Sequence, residues 1–218
     1  MARDKRADPR PAPRLTLITP PIAEAPVYSD KLAAALDAGD VAAVLLRLAD
    51  GDERALINRV KTLAPVVQDK GAALLLDGHA ELVARAGADG AHLTGLAAFS
   101  AALDRLKLEC IAGVGGLTTR HDTMVAAEAG ADYVMFGEPN PAGHRPSFDA
   151  ILDRVEWWAE VFEIPCVGYA GNIAEIAPLT HAGADFVAVG PFIFADPRGP
   201  APAIHEAMNC LVVAESVA

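Results

Sequence analysis

One short unit recurs along this chain: a helix ending in Ala-Gly-Ala-Asp that turns at once into a brief apolar strand. It stands at Ala86-Gly87-Ala88-Asp89, Ala129-Gly130-Ala131-Asp132 and Ala182-Gly183-Ala184-Asp185, with a shorter copy at Ala38-Gly39-Asp40. In each, glycine tolerates the left-handed conformation that ends a helix. The run that follows is rich in β-branched and aromatic residues, as in Tyr133–Phe136, which marks a buried strand. Copies separated by roughly 45 residues leave room for a second strand between them, so the repeat is a βαβα pair and not a solenoid turn.

Apolar patterning fills in the rest. Strands are predicted at Leu15–Ile18, Val41–Leu46, Ala72–Leu76, Gly90–Leu93, Cys110–Ala112, Tyr133–Phe136, Cys166–Gly168 and Phe186–Val189. Helices are predicted at Tyr28–Ala38, Arg54–Lys70, Glu81–Ala86, Ala97–Leu106, Thr119–Ala129, Phe148–Phe162, Ile173–His181 and Ala203–Val213. Pro65 is expected to end or kink the second helix, and Pro178 to distort the seventh. Strict alternation implies a parallel sheet, and eight pairs imply a single (βα)8 TIM barrel over residues 15–218. An open doubly wound sheet is the alternative; it ordinarily places a phosphate loop after the first strand, where this chain has Thr19-Pro20-Pro21.

Residues 1–14 read as a disordered, solvated tail with five basic and two acidic groups, a balance of +3. The net charge of −11 therefore leaves −14 on the remainder, a body that repels polyanions and excludes nucleic-acid binding. No apolar run approaches the roughly 20 residues that span a bilayer, so no membrane partner is expected. No secretory signal opens the chain, and Cys110, Cys166 and Cys210 lack metal-ligand spacing; buried thiols in a cytoplasmic protein are expected. Homo-oligomerisation is left open.

In a (βα)8 barrel, function sits on the loops that follow the strands. Those loops carry Arg47, Asp77, His79, Thr94, Gly113, Gly115, Gly137, the stretch Glu138–Arg145, Gly171, Asn172 and Gly190. Glycines there let backbone N–H groups approach an anion, and the loops after strands seven and eight form the usual phosphate cradle. Arg47 ends an apolar strand and is placed to grip a phosphate, or to make a rim salt bridge. Asp77 is a candidate Mg²⁺ ligand or an ordinary turn former. His92 reads as a satisfied barrel histidine, and His79, His92 and His144 are the candidate acid–base groups of a different chemistry.

Together these residues resemble thiamine-phosphate synthase and the TenI-type proteins. The resemblance covers most of residues 15–195 and rests on Leu15–Thr19, Leu45-Leu46-Arg47, Ala84–Leu93, Asp132–Gly137 and Gly183–Val189. It implies joining of hydroxymethylpyrimidine diphosphate to thiazole phosphate with release of pyrophosphate, Mg²⁺ bridging the diphosphate. It implies catalytic roles for Arg47, Asp77 and Arg145, with Asp77 on the metal. It implies phosphate or substrate contacts at Gly113, Gly115, Gly137, Gly171, Asn172 and Gly190.

The chain departs from the family at definite places. Leu48-Ala49 replaces Glu-Lys after the arginine, Leu76-Asp77-Gly78 replaces Asn-Asp-Arg, and Ala97 stands where a second Mg²⁺ carboxylate is found. Gly113-Val114-Gly115 replaces Gly-Val-Ser, Ala170-Gly171-Asn172 replaces Gly-Gly-Ile, and Gly190-Pro191 replaces Val-Ser. Pro141–Arg145 stands for Thr-Pro-Thr-Lys, with Arg145 as the cation. Each lost charge contact is worth on the order of 1.5–3 kcal/mol, so slow turnover is expected. A non-catalytic or TenI-like barrel that binds a phosphorylated heterocycle is the alternative.

Overall fold

A computed structural model describes residues 11–106, 109–140 and 142–215; the expected tail therefore lies, for residues 1–10, outside the described residues. The strands are β1 (Arg14–Ile18), β2 (Val41–Leu46), β3 (Ala73–Asp77), β4 (Gly90–Thr94), β5 (Ile111–Gly115), β6 (Tyr133–Phe136), β7 (Cys166–Tyr169) and β8 (Phe186–Val189). They pair in parallel and in sequence order, and β8 returns to β1, closing the barrel.

The main helices are α1 (Ala25–Asp37), α2 (Glu53–Gln68), α3 (Val83–Ala86), α4 (Leu96–Leu106), α5 (Arg120–Glu128), α6 (Phe148–Val161) and α7 (Ile176–His181). After β8 come a single turn, α8 (Pro191–Phe194), and the closing helix α9 (Pro200–Glu215). Short 3₁₀ turns at Ala80–Leu82 and Ile173–Glu175 lead into α3 and α7. Two apolar layers result. Ile18, Leu45, Leu75, Tyr133, Met135, Val167, Tyr169 and Ala188 fill the barrel interior. A larger cluster, with Leu17, Val44, Val60, Leu63, Phe99, Val134 and Trp158, fills the space between sheet and helices.

The repeated aspartates explain why the unit recurs. Asp89 donates its N–H to the Leu74 carbonyl (2.8 Å) and accepts the Leu74 N–H on Oδ2 (2.7 Å). Asp132 does the same with Ala112 (2.9 and 2.7 Å), and Asp185 with Cys166 (3.1 and 2.8 Å). The residue that opens an even strand thus clamps the start of the odd strand before it, using backbone and side chain together. In the shorter copy, Asp40 instead receives the guanidinium of Arg14 at 2.6 and 2.7 Å.

Three local expectations are corrected. Pro65 does not end α2, because the apolar face Leu56, Val60, Leu63, Ala64 and Val67 stays buried through it and Asp69 N–H bonds the Pro65 carbonyl. Pro178 lies in the first turn of α7, where no intrahelical N–H is required, and the distortion is the 3₁₀ turn before it. Cys110 precedes β5, since its N–H still serves the Leu106 carbonyl at the end of α4.

The clamps predict that Asp185→Ala lowers stability by about 1–3 kcal/mol, the cost of an unsatisfied strand N–H. Urea unfolding followed by circular dichroism measures it; an unchanged midpoint would show that the clamp is redundant.

Candidate functional site

The C-terminal ends of the strands form a mouth in which charged groups are paired before any ligand arrives. Arg47 leaves the end of β2 with its N–H fixed by the buried Thr19 hydroxyl (3.0 Å) at the end of β1. Its Nε donates to Asp77 Oδ2 at 2.9 Å, and both side chains are about one-quarter exposed, at 28% and 26%. The two residues assigned separate roles from the sequence are therefore one ion pair. Asp77 Oδ1 is left without a hydrogen bond among the described residues. The pair lines a cavity of about 400 Å³ with Pro21, His92, Thr94, Met135 and Glu138.

On the far side of the mouth, Arg145 makes a forked contact with Glu175 (3.0–3.2 Å) and donates to the Tyr169 carbonyl (3.2 Å). Its guanidinium carbon lies 5.5 Å from the centre of the Tyr169 ring. Burial raises the Tyr169 phenol above its ordinary pKa, against the opposing pull of Arg47 and Arg145. The Glu175 carboxylate also accepts the Gly171 N–H (2.8 Å) and the Asn172 side-chain amide (3.1 Å). A Cβ on Gly171 would fall 2.2 Å from the Arg145 guanidinium, so glycine is required for this approach. Three of the predicted anion-binding groups, Arg145, Gly171 and Asn172, are thus brought together, and an internal carboxylate takes the terminal nitrogens of Arg145, the Gly171 N–H and the Asn172 amide, while Arg145 Nε has no partner among the described residues. Gly190 follows the neighbouring strand β8 and opens α8.

Between these two clusters stands Glu138. Its Oε1 accepts the Gly116 N–H at 2.5 Å and lies 3.8 Å from His92 Nε2. His92 Nδ1 is 2.9 Å from the Tyr133 hydroxyl. Gly113 and Gly115 make room beneath this chain of contacts: Gly113 faces the Tyr133 ring, and a Cβ on Gly115 would sit 1.7 Å from Glu138 Oε1. Gly137 and Glu138, with His144, Arg145 and Arg154, line a second cavity of about 370 Å³. His92 is the satisfied barrel histidine that its strand-end position suggests. His79 instead pairs with Glu81 at 3.3 Å, and neither cavity includes it. Asn140 Oδ1 accepts the N–H groups of Ala142 and His144 (3.0 Å each), closing the loop after β6; Pro141 lies outside the described residues.

Glu175 is a mouth residue that the sequence did not point to, and Glu138, within the loop stretch Glu138–Arg145, carried no assigned role. A carboxylate inside a Pro-rich loop, and one in a helix start, look solvent-exposed in one dimension. The available signal was Gly115, a strand glycine with no turn to make.

A closed parallel barrel with its charged side chains gathered at the C-terminal strand ends is the architecture of the (βα)8 enzymes. The sequence profile of the thiamine monophosphate synthase family matches residues 15–193, and the chain belongs to that family. Thiamine-phosphate synthase of Rhodospirillum centenum is 43% identical over 196 residues, 88% of this chain and 95% of that protein. Thiamine-phosphate synthase of Hyphomonas neptunium is 38% identical over 214 residues, 94% and 96% of the two chains. Among solved structures, thiamine phosphate pyrophosphorylase from Pyrococcus furiosus shares the fold, with a TM-score of 0.76 at 20% identity over 95% of this chain and 99% of that one.

If Glu175 occupies donors meant for a ligand anion, Glu175→Gln should tighten binding of inorganic phosphate several-fold in titration calorimetry. Unchanged or weaker binding would show that Arg145 and Gly171 are structural.

Proposed function

We propose that this protein is a thiamine-phosphate synthase that joins hydroxymethylpyrimidine diphosphate to thiazole phosphate and releases pyrophosphate. The observation that carries this is identity of 43% and 38% with two thiamine-phosphate synthases over nearly the whole length of both partners. In this reading Arg47 and Arg145, on opposite sides of the mouth, attract the anionic groups. Gly171, Asn172 and Gly190, in the loops after β7 and β8, hold the phosphate; Glu175 must then release Gly171 and Arg145. Gly113 and Gly115 serve the heterocycles indirectly, by seating Tyr133 and Glu138 at the floor of the mouth, and Gly137 lines the cavity beside them.

Among the described residues no three His, Cys, Asp or Glu side chains gather to hold a metal. Asp77 Oδ1 alone suits Mg²⁺ that arrives on a substrate diphosphate, since Mg²⁺ is commonly held by one or two carboxylates plus phosphate. Such an ion would neutralise charge on the leaving diphosphate. The protein's own part is electrostatic: Arg47 orients the diphosphate while Asp77 fixes the guanidinium in place. Ala49 and Ala97 supply no charge, so turnover is slow.

Cytoplasmic localisation fits a chain without disulfide or metal spacing in its cysteines; among the described residues no helix is long and apolar enough to cross a membrane. A barrel that binds a phosphorylated heterocycle without turning it over is favoured by the same two alanines.

Purified protein given both substrates and Mg²⁺ should release pyrophosphate only when both are present. Asp77→Ala should lower the rate by at least tenfold, the loss of a close charge contact. No release, with a thermal shift on adding thiazole phosphate, would replace the synthase by the binding protein.

A further inference from the structure

Two of the three carboxylates in the mouth have a guanidinium: Asp77 pairs with Arg47, and Glu175 with Arg145. Glu138 has none. Its side chain is 9% exposed, and His92 is the only basic side chain within 4 Å of it among the described residues. The Tyr133 phenol is kept protonated by burial, which raises its pKa. Its hydroxyl lies 2.9 Å from His92 Nδ1, and the other ring nitrogen, Nε2, is 3.8 Å from Glu138. Glu138 thus receives a backbone N–H and faces the His92 ring, with no lysine or arginine within 4 Å among the described residues.

A largely buried carboxylate without a guanidinium is costly, and this one sits in space that Gly115 leaves by lacking a Cβ, with the Gly116 N–H as its backbone donor. It stands where the two cavities meet, lining both together with Met135 and Asn140. The missing partner is therefore a cation that comes with the ligand.

We propose that Glu138 is the charge-selecting residue of the site: it holds a ring nitrogen that has become quaternary and positively charged. This rests on the synthase reading. In that reaction the bond from the pyrimidine methylene carbon to the diphosphate oxygen breaks, and the electron pair leaves with the diphosphate. The thiazole nitrogen lone pair forms the new C–N bond, and that nitrogen becomes a thiazolium cation. No proton or external electron is needed. Positive charge first develops on the methylene carbon and ends on the ring nitrogen, and Glu138 stabilises it at both stages relative to the neutral ring. Arg47 and Arg145 attract the anionic ends of the ligands, and Glu138 attracts the cationic middle.

The test compares thiazole phosphate with its N-methyl thiazolium derivative, which differs by one methyl group and one charge. Titration calorimetry is run on wild type, Glu138→Gln and Glu138→Ala, with circular dichroism melting to confirm folding. Wild type should prefer the cation. In Glu138→Gln that preference should fall about tenfold, with affinity for the neutral ring changed less than twofold. Should the Gln variant not fold, Glu138→Ala is read by the same ratio. An unchanged ratio, or equal loss for both ligands, overturns the inference. If wild type releases pyrophosphate in the synthase assay and the ratio is unchanged, only the role of Glu138 falls. If wild type neither binds these rings nor releases pyrophosphate, the synthase reading falls as well.

Discussion

The barrel depends on a carboxylate that bonds sideways. Three of the four even strands open with an aspartate that exchanges backbone and side-chain hydrogen bonds with the start of the odd strand before it, at Leu74, Ala112 and Cys166. A strand start would otherwise leave an N–H without a partner at the sheet edge. The clamp also fixes register, since a slip of one residue would turn each interior side chain outward. Asp89, Asp132 and Asp185 hold three strand pairs alike, and the side chains of Leu75, Tyr133, Met135, Val167, Tyr169 and Ala188 pack together in the barrel interior.

Charge in the mouth follows from that register. Arg47 and Asp77 end neighbouring strands, β2 and β3, so their side chains meet across one strand spacing. Gly113 and Gly115 remove side chains from β5, and the vacated space admits the Tyr133 ring from β6 and the Glu138 carboxylate from the loop that follows. Arg145 lies in that same loop and seats against Tyr169, at the end of the neighbouring strand β7, and against Glu175. The loop after β6 thereby supplies a carboxylate to one part of the site and a guanidinium to another. Its own turn is held by Asn140.

The mouth holds opposite charges a short distance apart. Two guanidinium–carboxylate pairs, Arg47–Asp77 and Arg145–Glu175, flank Glu138, which has no guanidinium within 4 Å among the described residues. That arrangement suits a ligand with a phosphate at one end and a positive ring at the other.

The architecture is legible in the order of the residues. Four helix-to-strand joints of one design, with apolar strands between charged helices, are local patterns, and local patterns survive translation into one dimension. The sequence also showed Arg47, Asp77 and Arg145 as charges at strand and loop ends. The pairing of those charges is settled in three dimensions. Arg47 and Asp77 are 30 residues apart and form one pair; Arg145 and Glu175, also 30 apart, form another. Glu138 emerged as the carboxylate without a cation only once both pairs were assigned. Ion pairing is a contact across space, set by strand register and by the volume that glycine leaves empty, and neither is written in the order of the residues.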